Sequence, residues 1–64
     1  MKQIFYKSLG EEAGVVVYES GELYYIMEIP QYGGEERLAE HHNKADFTEE
    51  QIIKHATDLS SNWT

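Results

Sequence analysis

The chain has 64 residues, with 12 acidic and 5 basic side chains, a formal net charge of −7 and no cysteine. Disulfides, thiolate metal sites and cysteine nucleophiles are therefore excluded, and we expect a cytoplasmic protein. Lys and Arg supply most of the affinity of proteins for nucleic-acid phosphates, and this chain has only five of them. We therefore expect no direct nucleic-acid binding. No window approaches the roughly 18 apolar residues of a membrane span, and we expect no membrane association.

Residues 1–64 are predicted to form a single small α+β domain that begins with a three-stranded antiparallel meander. The hydrophobic content of 41% is sufficient for a folded core. β-Branched and aromatic residues are concentrated in the first half of the chain, as is typical of strands. The predicted strands cover about residues 2–9, 14–19 and 22–29.

The strongest local signal is the hairpin formed by the second and third predicted strands. Gly21 offers the positive φ that a type I′ turn needs at its second central position, with Ser20 at the first. This turn pairs Val17 with Tyr24. The register of the first strand is left open, because one residue more or less in the preceding loop exchanges its two faces.

Residues 35–42 are ambiguous between a short helix and a fourth strand. A short helix is favoured because Glu35 and Glu36 lie at its start, whereas His41 and His42 lie at its end. In either conformation the segment brings few apolar side chains to a core.

A C-terminal helix is predicted over about residues 49–60, packed on one face of the sheet. Thr48 is its N-cap and Gln51 completes a capping box, while Phe47 and Ile52 occupy the positions of a hydrophobic staple. The apolar side of this helix comprises Ile52, Ile53, Ala56, Leu59 and, one step further, Trp63.

Both faces of the predicted hairpin are apolar, although only one well-formed helix is available to cover them. One face carries Val16, Tyr18, Leu23, Tyr25 and Met27, and the other carries Val15, Val17, Tyr24 and Ile26. An exposed apolar patch of several hundred Å² usually marks an interface. We therefore expect a homodimer formed through the sheet, with Val15, Val17, Tyr24 and Ile26 as the candidate interface. The alternative is a monomer in which residues 30–42 and Trp63 cover the second face.

Sequence patterns for catalysis or metal binding are weak. His41, His42, Asp46 and His55 are the only residues of metal-ligand type that cluster, and their spacing matches no common metal motif. We expect solvated surface histidines, no cofactor, no metal site and no catalytic residue. Five tyrosines suggest cross-strand packing or a protein-binding surface, because the basic groove of a single-strand binder is missing.

The leading functional hypothesis is a small, acidic, non-enzymatic interaction module of bacterial or phage type. The runner-up is an acidic inhibitor that mimics a nucleic acid and occupies the basic site of a DNA- or RNA-binding protein. Its carboxylates would come from Glu11, Glu12, Glu19, Glu22, Glu35, Glu36 and Glu40. A small enzyme with a site at a dimer interface is the third hypothesis.

Overall fold

The computed structural model describes residues 1–63 and contains one antiparallel sheet and one helix. The strands are β1 (Lys2–Gly10), β2 (Ala13–Ser20), β3 (Leu23–Ile29) and β4 (Arg37–Asn43), and the helix is α1 (Glu49–Ser60). The strands lie side by side in chain order, each antiparallel to its neighbour. The α+β class is confirmed, with four strands where the sequence predicts three.

The segment at residues 35–42, for which the sequence favours a short helix, is corrected to strand β4. Two glycines, Gly33 and Gly34, precede the acidic pair, so the side-chain acceptor of a helix N-cap is missing. β4 also pairs along most of β3, whose edge would otherwise expose a row of unpaired backbone groups. Tertiary pairing therefore outweighs the local charge pattern.

The β2–β3 hairpin forms as predicted, but its register differs by one pair. Ser20 pairs with Leu23 and Val17 with Ile26, so the central turn residues are Gly21 and Glu22. Gly21 has φ +58°, which places it at the first central position, as in a type II′ turn. Because the partners shift by two residues, every side chain stays on its predicted face.

The β1–β2 turn contains two glutamates in the left-handed region. Gly10 pairs with Ala13, and the central residues Glu11 and Glu12 have φ of 49° and 70°. Asn and Gly usually fill such positions, because a longer side chain is strained there. The turn is held from outside, since the carbonyl of Glu11 accepts a 2.7 Å hydrogen bond from the Tyr32 amide.

Helix α1 has the predicted bounds and the predicted cap. The Thr48 hydroxyl accepts a hydrogen bond from the Gln51 amide, and the Gln51 side chain accepts one from the Thr48 amide. Lys54 and Asp58 form an i,i+4 ion pair at 3.0 Å on its exposed side. In the described part of the chain, no helix is long and apolar enough to cross a membrane.

Candidate functional site

The helix covers the face that the sequence analysis assigns to a second chain. Val15, Val17 and Ile26 are fully buried and Tyr24 is 6% exposed; all four pack in one core with Ile52 and Ala56 of α1. These residues are therefore covered within the chain and are not available as an intermolecular surface. The candidate interface is corrected accordingly, and the face without a helix is the opposite one.

We call that opposite side of the sheet the open face. The alternation of side chains along each strand and the cross-strand pairs of β1 and β4 define its apolar members. They are Tyr6, Val16, Tyr18, Leu23, Tyr25, Met27, Ile29 and Leu38. Tyr6 is 50% exposed and Leu38 is 53% exposed, whereas the central Val16 is buried by its neighbours.

The Tyr6 ring lies directly on the backbone of Gly14 at one end of the open face. A Cβ atom added at Gly14 would stand 3.0 Å from Cε1 of Tyr6 and 3.2 Å from the Lys7 carbonyl oxygen. Only glycine allows the ring to approach this closely. The Tyr6 ring therefore extends the open face over the backbone of β2.

A polar contact between described residues lies over the open face. The Tyr18 hydroxyl donates to the Glu36 carboxylate, at 2.9 and 3.2 Å from its two oxygens. This hydrogen bond, together with partial burial and the negative charge of Glu36, raises the pKa of Tyr18 above its ordinary value. The hydroxyl is therefore satisfied within the chain and keeps its proton.

Four exposed glutamates lie at one end of the sheet, where the β1–β2 turn meets the loop before β4. Hydrogen bonds from Tyr32 and Gln31 to Glu11 tie this loop to the turn. We call the set the acidic end; it comprises Glu11, Glu12, Glu35 and Glu36. The opposite end of the open face is less acidic: it carries Ser20, Leu23 and Asn43 beside Glu22 of the β2–β3 turn.

A second cluster lies on the helix side, between β4 and α1. Oε1 of Glu40 lies 2.7 Å from Nε2 of His42 and 2.8 Å from Nε2 of His55. All three ligand-type atoms lie within 4.8 Å of one another. The side chains are 28–38% exposed, so the cluster is partly shielded but open to water.

A β-bulge in β4 creates this cluster. Met27 pairs with Leu38 and Ile26 pairs with Glu40, so Ala39 is an extra residue without a partner. Without the bulge, Glu40 would lie on the open face. With it, Glu40 and His42 both face α1, in line with the tendency of bulges to redirect side chains.

Phe47 packs against both imidazoles of the cluster. Its ring centre is 4.8 Å from that of His42 and 5.6 Å from that of His55. The hydrogen bond from His55, followed by that from His42, lowers the pKa of Glu40 below its ordinary value. The carboxylate is therefore ionised at neutral pH and ready to accept from both rings.

The histidines that the sequence groups together are separated in the structure. His41 lies on the open face, 6.5 Å from the Tyr25 ring centre. His42 and His55 meet on the helix side, and there they are not freely solvated. Asp46 lines a shallow cleft of about 420 Å³ near the β2–β3 turn, together with Lys44, whose ammonium pairs with Glu19 at 3.0 Å.

No family model, curated protein or solved structure matches the chain.

Proposed function

We propose that the protein is a small non-enzymatic interaction module that acts in the cytoplasm as a homodimer. A second copy of the chain covers the open face. The observation that carries this proposal is the apolar open face, which the helix does not cover: Tyr6 and Leu38 on its two edge strands are each about half exposed, and Val16 between them is buried by its neighbours. Aromatic side chains are enriched in protein interfaces, where the tyrosine hydroxyl stays wet or bonded while the ring is buried.

The dimensions of the molecule support a dimer through a broad side. Its Cα atoms span 34 × 21 × 15 Å, as expected for a sheet and a helix in two layers. A stable interface buries about 800 Å² on each partner. The broadest side measures 34 by 21 Å, which is about 700 Å² when the side chains are left out, and this area approaches what a stable interface buries. The narrower sides have a smaller area than a stable interface needs.

Charge selects between the two broad sides and orients the partner. The outer surface of α1 carries Glu49, Glu50 and the Lys54–Asp58 pair, whereas the apolar strand residues of the open face carry no charge and the Glu36 carboxylate reaches over them to Tyr18. Two acidic ends would repel if they overlapped. The two-fold axis therefore runs across the strands, and each acidic end lies beside the less acidic end of its partner, at the β2–β3 turn.

A basic protein is the second candidate partner, and the acidic end favours it. Glu11, Glu12, Glu35 and Glu36 are all exposed there. Hydrogen bonds from Tyr32 and Gln31 hold Glu11 where the turn and the loop meet. This candidate contacts the acidic end and leaves the centre of the open face uncovered.

Sedimentation equilibrium of matched charge variants tests the dimer. The wild type should have about twice the chain mass of 7.4 kDa at tens of micromolar. Leu38→Glu places a carboxylate in the interface, yet its side chain can reach water in the monomer, so the mass should fall to that of one chain. Lys54→Gln makes the same change in net charge on the outer side of α1 and should stay dimeric.

Two results would count against the dimer. A wild type that sediments as a single chain over the whole concentration range would refute it. A Leu38→Glu variant that associates as strongly as the wild type would show that the open face is not the contact surface. Circular dichroism should show the same secondary structure in all three proteins.

A further inference from the structure

We propose that Glu40, His42 and His55 form a binding site for one zinc ion in each chain. The site lies on the helix side of the sheet and does not depend on the proposed dimer. Three potential ligand atoms from two elements point at one place: Oε1 of Glu40 and the Nε2 atoms of the two histidines.

The geometry needs only small side-chain movements to accept the ion. Bonds of about 2.05 Å in a tetrahedral site place ligand atoms about 3.3 Å apart. The carboxylate oxygen must therefore retreat by about 0.6 Å from each nitrogen, now at 2.7 and 2.8 Å. The two nitrogens lie within 4.8 Å of each other and close by no more than about 1.5 Å.

The ligand chemistry favours zinc. Two imidazoles and one carboxylate suit borderline divalent ions, whereas magnesium and calcium prefer oxygen ligands alone. Each imidazole binds the metal through an unprotonated Nε2. In the bound state a neutral ring carries its proton on Nδ1, and a ring that was charged has released its Nε2 proton to solvent. Three protein ligands leave a fourth position for water, which the partial exposure of the cluster allows.

The position of the cluster gives the ion a structural effect. The core contacts of α1 are with β2 and β3, whereas β4 is an edge strand that lies beyond them. The ion would join β4 to α1 across the rings that Phe47 already holds in place. Small domains with thin cores often gain stability in this way.

Calorimetric titration of EDTA-treated protein with zinc chloride tests the site, and His41 supplies a matched control. The wild type should bind one zinc per chain. His55→Ala and Glu40→Gln should each weaken zinc affinity by at least about tenfold, because even loss of an outer-shell partner costs that much. His41→Ala removes the neighbouring imidazole on the open face and should leave the affinity unchanged.

Two readings on the wild type keep the proposal testable if a variant folds poorly. Zinc at a hundredfold excess over its dissociation constant should raise the melting temperature by about 10 °C or more. In nitrogen NMR spectra, zinc should shift Nε2 of His42 and His55 and leave the ring of His41 unchanged.

Three outcomes would overturn the site. The first is a melting temperature that zinc does not change. The second is an equal loss of affinity in His41→Ala, which would indicate non-specific binding to surface histidines. The third is a stoichiometry of one zinc per two chains, which would mean that the ion bridges two molecules.

Discussion

Adjacent tyrosines on opposite faces of β3 allow the same substitution to test both faces of the sheet. Tyr24 is 6% exposed in the core under α1, whereas Tyr25 is half-buried on the open face. We predict that Tyr24→Glu unfolds the protein. We predict that Tyr25→Glu leaves a folded chain that no longer dimerises.

The magnitude follows from the surroundings of each ring. Removing a buried aromatic side chain costs about 3–5 kcal/mol, and burying an unpaired carboxylate costs several more. The whole stability of a 64-residue domain is about 3–10 kcal/mol. The nearest cation to Tyr24 is Lys44, 5.6 Å from the ring centre, but it is bound by Glu19, which also lies directly opposite Tyr24. A carboxylate at position 24 would therefore gain little compensation.

Far-UV circular dichroism and sedimentation distinguish the two variants. Tyr24→Glu should show a disordered spectrum at 25 °C, and Tyr25→Glu should keep the wild-type spectrum with the mass of one chain. At position 25 the new carboxylate can reach water, so the monomer should lose at most about 1 kcal/mol. A folded Tyr24→Glu protein would refute the placement of α1 over this face.

Three further predictions concern the helix cap, the strained turn and the response to acid. Thr48→Ala should lower the free energy of unfolding by about 1 kcal/mol in urea melts, since the Gln51 amide loses its acceptor, and an unchanged midpoint would contradict the cap. Glu12→Gly should raise the free energy of unfolding by about 0.5–1 kcal/mol, because relief of the strained φ of 70° outweighs the greater conformational freedom of glycine in the unfolded chain. Glu12→Gln removes the charge but keeps the strain, so the free energy of unfolding should change little. A hydrogen bond from His55 lowers the pKa of Glu40, and one from Lys44 lowers the pKa of Glu19. The two ionised carboxylates therefore stabilise the fold above the ordinary pKa of 4.5, and this stabilisation is lost as the pH falls through the lower native pKa values. Urea midpoints between neutral and acidic pH should therefore depend less on pH in Glu19→Gln and Glu40→Gln, and slopes equal to that of the wild type would contradict this.

The elements of the fold that depend on local signals could be predicted from the sequence. The capping box at Thr48 determines where α1 begins, because the side chains of Thr48 and Gln51 each accept a hydrogen bond from the backbone amide of the other residue. The two faces of the hairpin were also predicted correctly, since alternation does not depend on register. By contrast, the turn residues were assigned one position too early, because Gly21 suits either a type I′ or a type II′ turn.

What could not be predicted depends on contacts between distant residues. β4 is a strand because β3 needs a partner, and its own residues carry little strand signal. Which face α1 covers is decided by tertiary packing, and for this reason Val15, Val17, Tyr24 and Ile26 were assigned to the wrong surface. The Glu40–His42–His55 cluster required the bulge at Ala39; the signal that could have pointed to it is the i,i+2 spacing of Glu40 and His42 on a strand.

The central claim, that a second copy of the chain covers the open face, is tested most directly by isotope-filtered NMR on a mixture of labelled and unlabelled protein. Intermolecular contacts should connect the methyl groups of Leu38 and Met27 with the rings of Tyr6 and Tyr25 of the other chain. The acidic end of one chain should lie near the β2–β3 turn of the other. Intermolecular contacts confined to the backbone of β1 or β4 would indicate edge pairing instead. Intermolecular contacts that involve only α1 would contradict the account. So would the absence of any intermolecular contact in a wild-type sample at tens of micromolar or above.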